Sequence, residues 1–136
     1  MAVPTLKQVV LDTEDARALA EFYRELLGLE YRPGDEPHEG ETHADTDWLA
    51  LRFPGGGPEL TFQQVDSLPA PTWPDGPRPQ MAHLDLTVPT AEELQSQRDR
   101  ALALGASILR DRFDDPEEPL YVFADPSGHP FCIFVG

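Results

Sequence analysis

Two short stretches, Pro54-Gly55-Gly56-Gly57-Pro58 and Pro126-Ser127-Gly128-His129-Pro130, share the pattern Pro-x-Gly-x-Pro at an offset of 72 residues (126 − 54) in a chain of 136. Each sits between two runs of strand-forming residues, and each follows a helical stretch closed by a glycine, Gly28 or Gly105. A chain that repeats one order of elements is constrained to build two related units, each supplying half of the structure.

The first half reads as a strand over Leu6–Asp12, with Val9 and Leu11 on one face and Gln8, Val10 and Asp12 on the other. A helix follows, capped by Thr13 or Asp15, with Ala16, Leu19, Ala20, Tyr23 and Leu27 at helical spacing and Phe22 and Leu26 widening the stripe. A short strand over Leu29–Arg32 comes next. Pro33–Asp47 is acidic and aperiodic and reads as a mobile surface loop; His38 and His43 stand there among Asp35, Glu36, Glu39, Glu41 and Asp45, a pattern commoner in solvated loops than in ordered metal sites. Trp48–Phe53 and Glu59–Val65 then read as a hairpin. Its triple glycine is turn chemistry, because no Lys-Ser or Lys-Thr and no helix follows to make a phosphate loop. Asp66–Pro79, with Pro69, Pro71, Pro74, Pro77 and Pro79 around Trp73, reads as an extended linker.

The second half repeats the order. His83–Val88 is a strand, Thr90–Leu104 a helix with Ala91, Leu94, Gln97, Ala101 and Leu104 on one stripe, and Ala106–Asp111, Leu120–Ala124 and Phe131–Val135 three more strands. The expected architecture is α+β: two βαβββ modules in tandem, residues 5–66 and 80–136 joined by a linker over 67–79, forming a cupped mixed sheet around a pocket with the helices outside.

Composition narrows the function. Ten Lys and Arg against 25 Asp and Glu give a formal charge of −15, without a basic cluster, which argues against nucleic acid and anionic membranes as partners. Cys132 is the single cysteine, so no intramolecular disulfide forms. Met1–Thr5 lacks a basic region followed by an apolar core, and no apolar run reaches the ~20 residues that span a bilayer. A cytoplasmic location is expected.

Chemistry concentrates in Met81-Ala82-His83-Leu84-Asp85-Leu86-Thr87-Val88, where Leu84, Leu86 and Val88 alternate with His83, Asp85 and Thr87. His83 either hydrogen-bonds Asp85 in a polar pocket or ligates a metal. Leu60 and Phe62 beneath the helix would turn Glu59, Thr61 and Gln63 to the opposite face, whereas the plain offset of 72 would pair Leu60 with Cys132. Asp125 reads as a turn former, His129 as shaping the same turn, and Cys132 as a small buried side chain.

Three stretches, Glu21-Phe22-Tyr23-Arg24-Glu25-Leu26-Leu27-Gly28-Leu29, Met81-Ala82-His83-Leu84-Asp85-Leu86 and Asp125-Pro126-Ser127-Gly128-His129-Pro130-Phe131-Cys132, together with the paired modules, resemble the vicinal oxygen chelate superfamily. That group includes glyoxalase I, extradiol dioxygenases and fosfomycin- and bleomycin-resistance proteins; its glyoxalase-like domain branch is the nearest in pattern. The resemblance implies a cup into which metal-using members direct four side chains, from the first, fourth, fifth and eighth strands. Carried over, these are Gln8, Glu59, His83 and Cys132. Some glyoxalase I enzymes use glutamine at the first position, but Cys132 stands where glyoxalase I has a glutamate that also serves as base.

Two functions follow from the resemblance. One is a pocket that binds an aromatic or amphipathic small molecule without catalysis, lined by Gln8, Asp85, Trp48, Trp73, Phe62, Tyr121, Cys132 and Phe134. The other is an enzyme using one divalent metal (Zn, Mn, Fe or Ni) held by His83, Glu59 and Gln8. A homodimer is expected in either case, and no catalytic residue is assigned.

Overall fold

Asp15 starts the first helix by accepting a hydrogen bond from the Ala18 N–H at 3.0 Å, while Gly28 ends it in the left-handed region at φ 66°. In the computed structural model, which describes residues 2–136, this helix belongs to the first of two units, Met1–Leu68 and Pro69–Gly136.

Unit 1 contains β1 (Gln8–Thr13), α1 (Ala16–Leu27), β2 (Glu30–Tyr31), β3 (Trp48–Arg52) and β4 (Glu59–Gln64), with sheet order β1-β4-β3-β2. β1 and β4 are parallel and the other pairs antiparallel. The register pairs Val9 with Leu60 and Leu11 with Phe62 across β1 and β4, and Leu49 with Phe62 and Leu51 with Leu60 across β3 and β4. Paired residues share a face, and on it Leu49, Leu51, Leu60 and Phe62 are buried and form the floor beneath α1, while Val9 on the edge strand stays exposed. α1 buries Leu19, Ala20, Phe22, Tyr23 and Leu26, and the Tyr23 and Phe62 rings stack at 5.8 Å. The opposite face carries Gln8, Val10, Glu59, Thr61, Trp48 and Ala50.

The acidic segment 33–47 has more structure than its sequence suggests. It contains a 3-10 turn, His43–Thr46, and is fastened to α1 through Arg17, whose guanidinium contacts Glu41 at 2.8 and 2.9 Å and the Asp35 carbonyl at 2.8 Å. The Asp35 carboxylate also accepts from the Ala50 N–H at 2.9 Å. Periodicity cannot reveal such anchoring because it runs through charged side chains.

Unit 2 contains β5 (Leu84–Val88), α2 (Ala91–Leu104), β6 (Ser107–Arg112), β7 (Leu120–Ala124) and β8 (Pro130–Val135), ordered β5-β8-β7-β6. Thr90 caps α2 and Gly105 closes it. α2 buries only Leu94 and Ala101, fewer than its five-residue stripe suggested. The core comes instead from the sheet: Tyr121, Phe123, Phe131 and Ile133 are buried, and Phe123 and Phe131 stack at 5.0 Å. Arg98 of α2 lies 5.7 Å from the Tyr121 ring, which places that row of side chains on the helix side.

The proline-rich stretch is not simply extended. From Pro69 on it belongs to unit 2, Trp73–Pro74 is cis, and Thr72 and Arg78 close a turn through a 2.7 Å backbone hydrogen bond. It lies against the β7–β8 turn: a Cβ on Gly128 (φ 96°) would come within 2.6 Å of the Ala70 Cβ. The chain is thus α+β, two similar modules in tandem, each a four-stranded mixed sheet with a helix on one face. Among the described residues no helix is long and apolar enough to cross a membrane.

Candidate functional site

In unit 2 the parallel pairing of β5 and β8 sets Asp85 opposite Cys132 and Thr87 opposite Phe134. These positions alternate with Leu84, Leu86, Phe131 and Ile133, so they occupy the face away from α2. β5 starts at Leu84, which leaves His83 just ahead of it, two residues before Asp85 and on the same side. The metal-ligating atoms of His83, Asp85 and Cys132 all lie within 4.8 Å of one another.

His83 Nε2 is 3.2 Å from Asp85 Oδ1, and its Nδ1 is 3.1 Å from Gln80 Oε1. Asp85 is an acceptor, and the Gln80 amide either accepts from Nδ1–H through Oε1 or, turned over, donates to Nδ1. A neutral imidazole carries a single N–H, and if Nδ1–H donates to Gln80, the Nε2 lone pair faces a carboxylate. In that arrangement a cation between the two atoms would satisfy both. Burial pushes the Cys132 thiol up to about 11, and the charge of Asp85 and the thiol's hydrogen bond to that carboxylate add to the shift. The thiol is therefore protonated at neutral pH and is no nucleophile in this state.

Unit 1 places Gln8 opposite Glu59 on its helix-free face. Leu60 is buried on the helix side, so Glu59 and not Leu60 occupies the other face. Glu59 is already matched by charge: Lys7 Nζ lies 3.1 Å from Oε1 and Arg52 Nε 3.4 Å from Oε2. The Lys7 hydrogen bond is the main cause holding its carboxyl below the usual range. Gln8 Oε1 accepts from the Thr61 hydroxyl at 3.0 Å. An open cavity of about 280 Å³ beside Glu59 is lined by Arg52, Phe53, Gly56 and Gly57.

The aromatic residues separate clearly. Phe62 and Tyr121, expected to line a pocket, are 0 % and 1 % exposed and lie on the helix sides of their sheets, because each pairs with a residue of the apolar row. Trp48 is half-buried on the helix-free face of unit 1, as is Phe134 on that of unit 2, and Trp73 is half-buried in the proline-rich stretch. Lys7, Arg52 and Gln80 were missing from the sequence reading. Alternation along their strands could have flagged Arg52 beside Glu59, but the contact of Gln80 with His83 depends on a bend before β5 that carries no pattern.

The donor sets discriminate between metals. Glu59 and Gln8 have their oxygens engaged by Lys7, Arg52 and Thr61, which fits a structural ion cluster better than a cation site. His83, Asp85 and Cys132 offer nitrogen, oxygen and sulfur together, a set suited to zinc and poorly matched to the oxygen-rich octahedra of manganese.

Residues 8–134 match the model of a family described as glyoxalase-like domain. No curated protein matches the sequence. Among solved structures, a glyoxalase/bleomycin resistance protein/dioxygenase family enzyme from Burkholderia phytofirmans shares 16% identity at a TM-score of 0.70, over 97% of this chain and 98% of that one. A lactoylglutathione lyase from Agrobacterium tumefaciens shares 16% identity at 0.60, over 100% and 96%. A fosfomycin resistance protein from Listeria monocytogenes, complexed with Mn(II) and sulfate, shares 18% at 0.65, over 99% and 94%. At these identities the likeness is one of fold.

Proposed function

This chain belongs to the glyoxalase-like domain family, of the vicinal oxygen chelate fold, and from that premise we propose that it binds a small aromatic or amphipathic molecule. One observation carries the reading: imidazole, carboxylate and protonated thiol converge at His83, Asp85 and Cys132 on a helix-free sheet face that also bears Phe134. A few placed polar groups beside an aromatic wall are the usual composition of a small-molecule site. The ligand would hydrogen-bond His83 and Asp85 and lay its apolar part on Phe134 and Trp73. The protein would act in the cytoplasm as a homodimer.

A second reading is a metal-dependent enzyme of glyoxalase or dioxygenase type with the cation at His83 and Glu59. His83 favours it, and so does the manganese-bound relative in fold. The engagement of Glu59 by Lys7 and Arg52 speaks against it.

Thermal-shift screening of the chain against phenols and aromatic carboxylic acids, with a chelator present, tests the first reading. Binding should raise the melting temperature, and His83→Ala should weaken it about tenfold, the equivalent of one hydrogen bond to a charged group. A panel without any stabilising compound, or binding that His83→Ala leaves intact, would contradict it.

A further inference from the structure

We propose that His83, Asp85 and Cys132 form a binding site for a thiophilic divalent cation of the zinc class, with all three protein ligands supplied by unit 2. Three independent features point to it. The first is reach. Around tetrahedral zinc, donor atoms stand about 3.4–3.6 Å apart. Here the imidazole nitrogen and carboxylate oxygen are already at 3.2 Å and all three donors fall within 4.8 Å, so side-chain torsions closing about an ångström complete the triangle. The second is framework. Asp85 and Cys132 are fixed by the strand register, and ligands on strands are held more closely than ligands on loops.

The third is the partner on the other ring nitrogen. Metal-bound histidines as a rule donate their second N–H to an oxygen that fixes the tautomer, and Gln80 Oε1 stands 3.1 Å from His83 Nδ1. With Nδ1–H donating there, Nε2 presents a lone pair towards Asp85, where a cation satisfies two facing acceptors at once. Binding would exchange the Cys132 S–H bond for a sulfur–metal bond and release that proton to solvent. Three protein ligands on a partly exposed face leave one position open to solvent or to a ligand oxygen.

The site goes beyond the small-molecule reading and stands or falls separately from it, since the ligand screen is run in chelator. The untagged full chain, stripped of metal and kept reduced, is titrated with Co(II). The expected result is a near-ultraviolet thiolate-to-cobalt band with tetrahedral visible bands, saturating at one ion per chain and displaced by Zn(II). Cys132→Ser should abolish the near-ultraviolet band, and Asp85→Asn and His83→Ala should each weaken Zn(II) binding at least tenfold, the lower end of what losing a mere orienting partner costs. Asp85 is exposed, so Asp85→Asn carries the test if Cys132→Ser fails to fold. The proposal is overturned if the reduced chain gives no thiolate band, if the band survives Cys132→Ser, or if Asp85→Asn binds Zn(II) as the parent does.

Discussion

Unit 1 and unit 2 follow one order of elements, yet they treat the carboxylate on their helix-free faces in opposite ways. Glu59 is held by two cations, Lys7 and Arg52. Asp85 faces an imidazole nitrogen at 3.2 Å and a protonated thiol, with no Lys or Arg bridging to it among the ion pairs of the described residues. The helices differ too: α1 buries six side chains and α2 two. Of two similar modules, one thus has a large helix-packed core with a charge-matched face, and the other a sheet-centred core with a face that still has donors to offer. Chemistry is expected where charge is left unmatched.

The largest effects should come from the cores. Phe62 is fully buried and stacks on Tyr23, so Phe62→Ala should cost about 3–5 kcal/mol in urea unfolding. Leu102 on α2 is 39% exposed, and Leu102→Ala should stay within about 0.5 kcal/mol. Equal losses would erase the contrast between the packed core of unit 1 and the solvent-facing side of α2.

The equivalent turn glycines sharpen the comparison next. Gly56 and Gly128 both have positive φ, at 84° and 96°, but a Cβ on Gly56 meets open space whereas one on Gly128 meets Ala70 at 2.6 Å. Gly56→Ala should cost about 1–2 kcal/mol for the left-handed backbone alone. Gly128→Ala should cost about 1–3 kcal/mol more, because the proline-rich stretch must shift. Equal costs would mean that this stretch does not pack on the turn.

Titration gives smaller signals at opposite ends of the pH scale. A thiol raised to about 11 from an ordinary 9.0 holds its proton longer in the folded state, so its contribution to stability is complete below pH 9.0 and lost as pH rises towards 11. At pH 8 the folded chain carries roughly a hundredfold less thiolate than a free cysteine. Its higher intrinsic nucleophilicity recovers about tenfold of that, which leaves iodoacetamide alkylation about tenfold slow. Alkylation at the free-cysteine rate would contradict the buried, protonated thiol. In unit 1, the hydrogen bond from Arg17 lowers the Glu41 pKa. That stabilisation is present above the ordinary value of 4.5 and is lost as pH falls through the lowered one. Glu41→Gln should therefore flatten the acid limb of the stability curve, and an unchanged limb would remove Arg17–Glu41 as the anchor of the acidic segment.

These contrasts were unevenly legible in the sequence. The tandem modules followed from the repeated Pro-x-Gly-x-Pro turns and the paired glycine stops, and alternation set Gln8 and Glu59 apart from Leu60 and Phe62. Strand partners are invisible in one strand's pattern. The pairing of Asp85 with Cys132 depends on the β5–β8 register, which joins residues 47 positions apart (132 − 85). Phe62 and Tyr121 looked like pocket walls because an aromatic ring suits both a core and a ligand. Lys7 and Arg52 were overlooked because basic residues at strand ends are ordinary until their partner is known.

The central claim is that unit 2, and not unit 1, carries the reactive face. Zn(II) affinity of Asp85→Asn and Glu59→Gln, measured side by side by calorimetry on the full chain, addresses it most directly. The account expects Asp85→Asn to lose at least tenfold while Glu59→Gln binds within about twofold of the parent. A loss at Glu59→Gln equal to or larger than that at Asp85→Asn would contradict it.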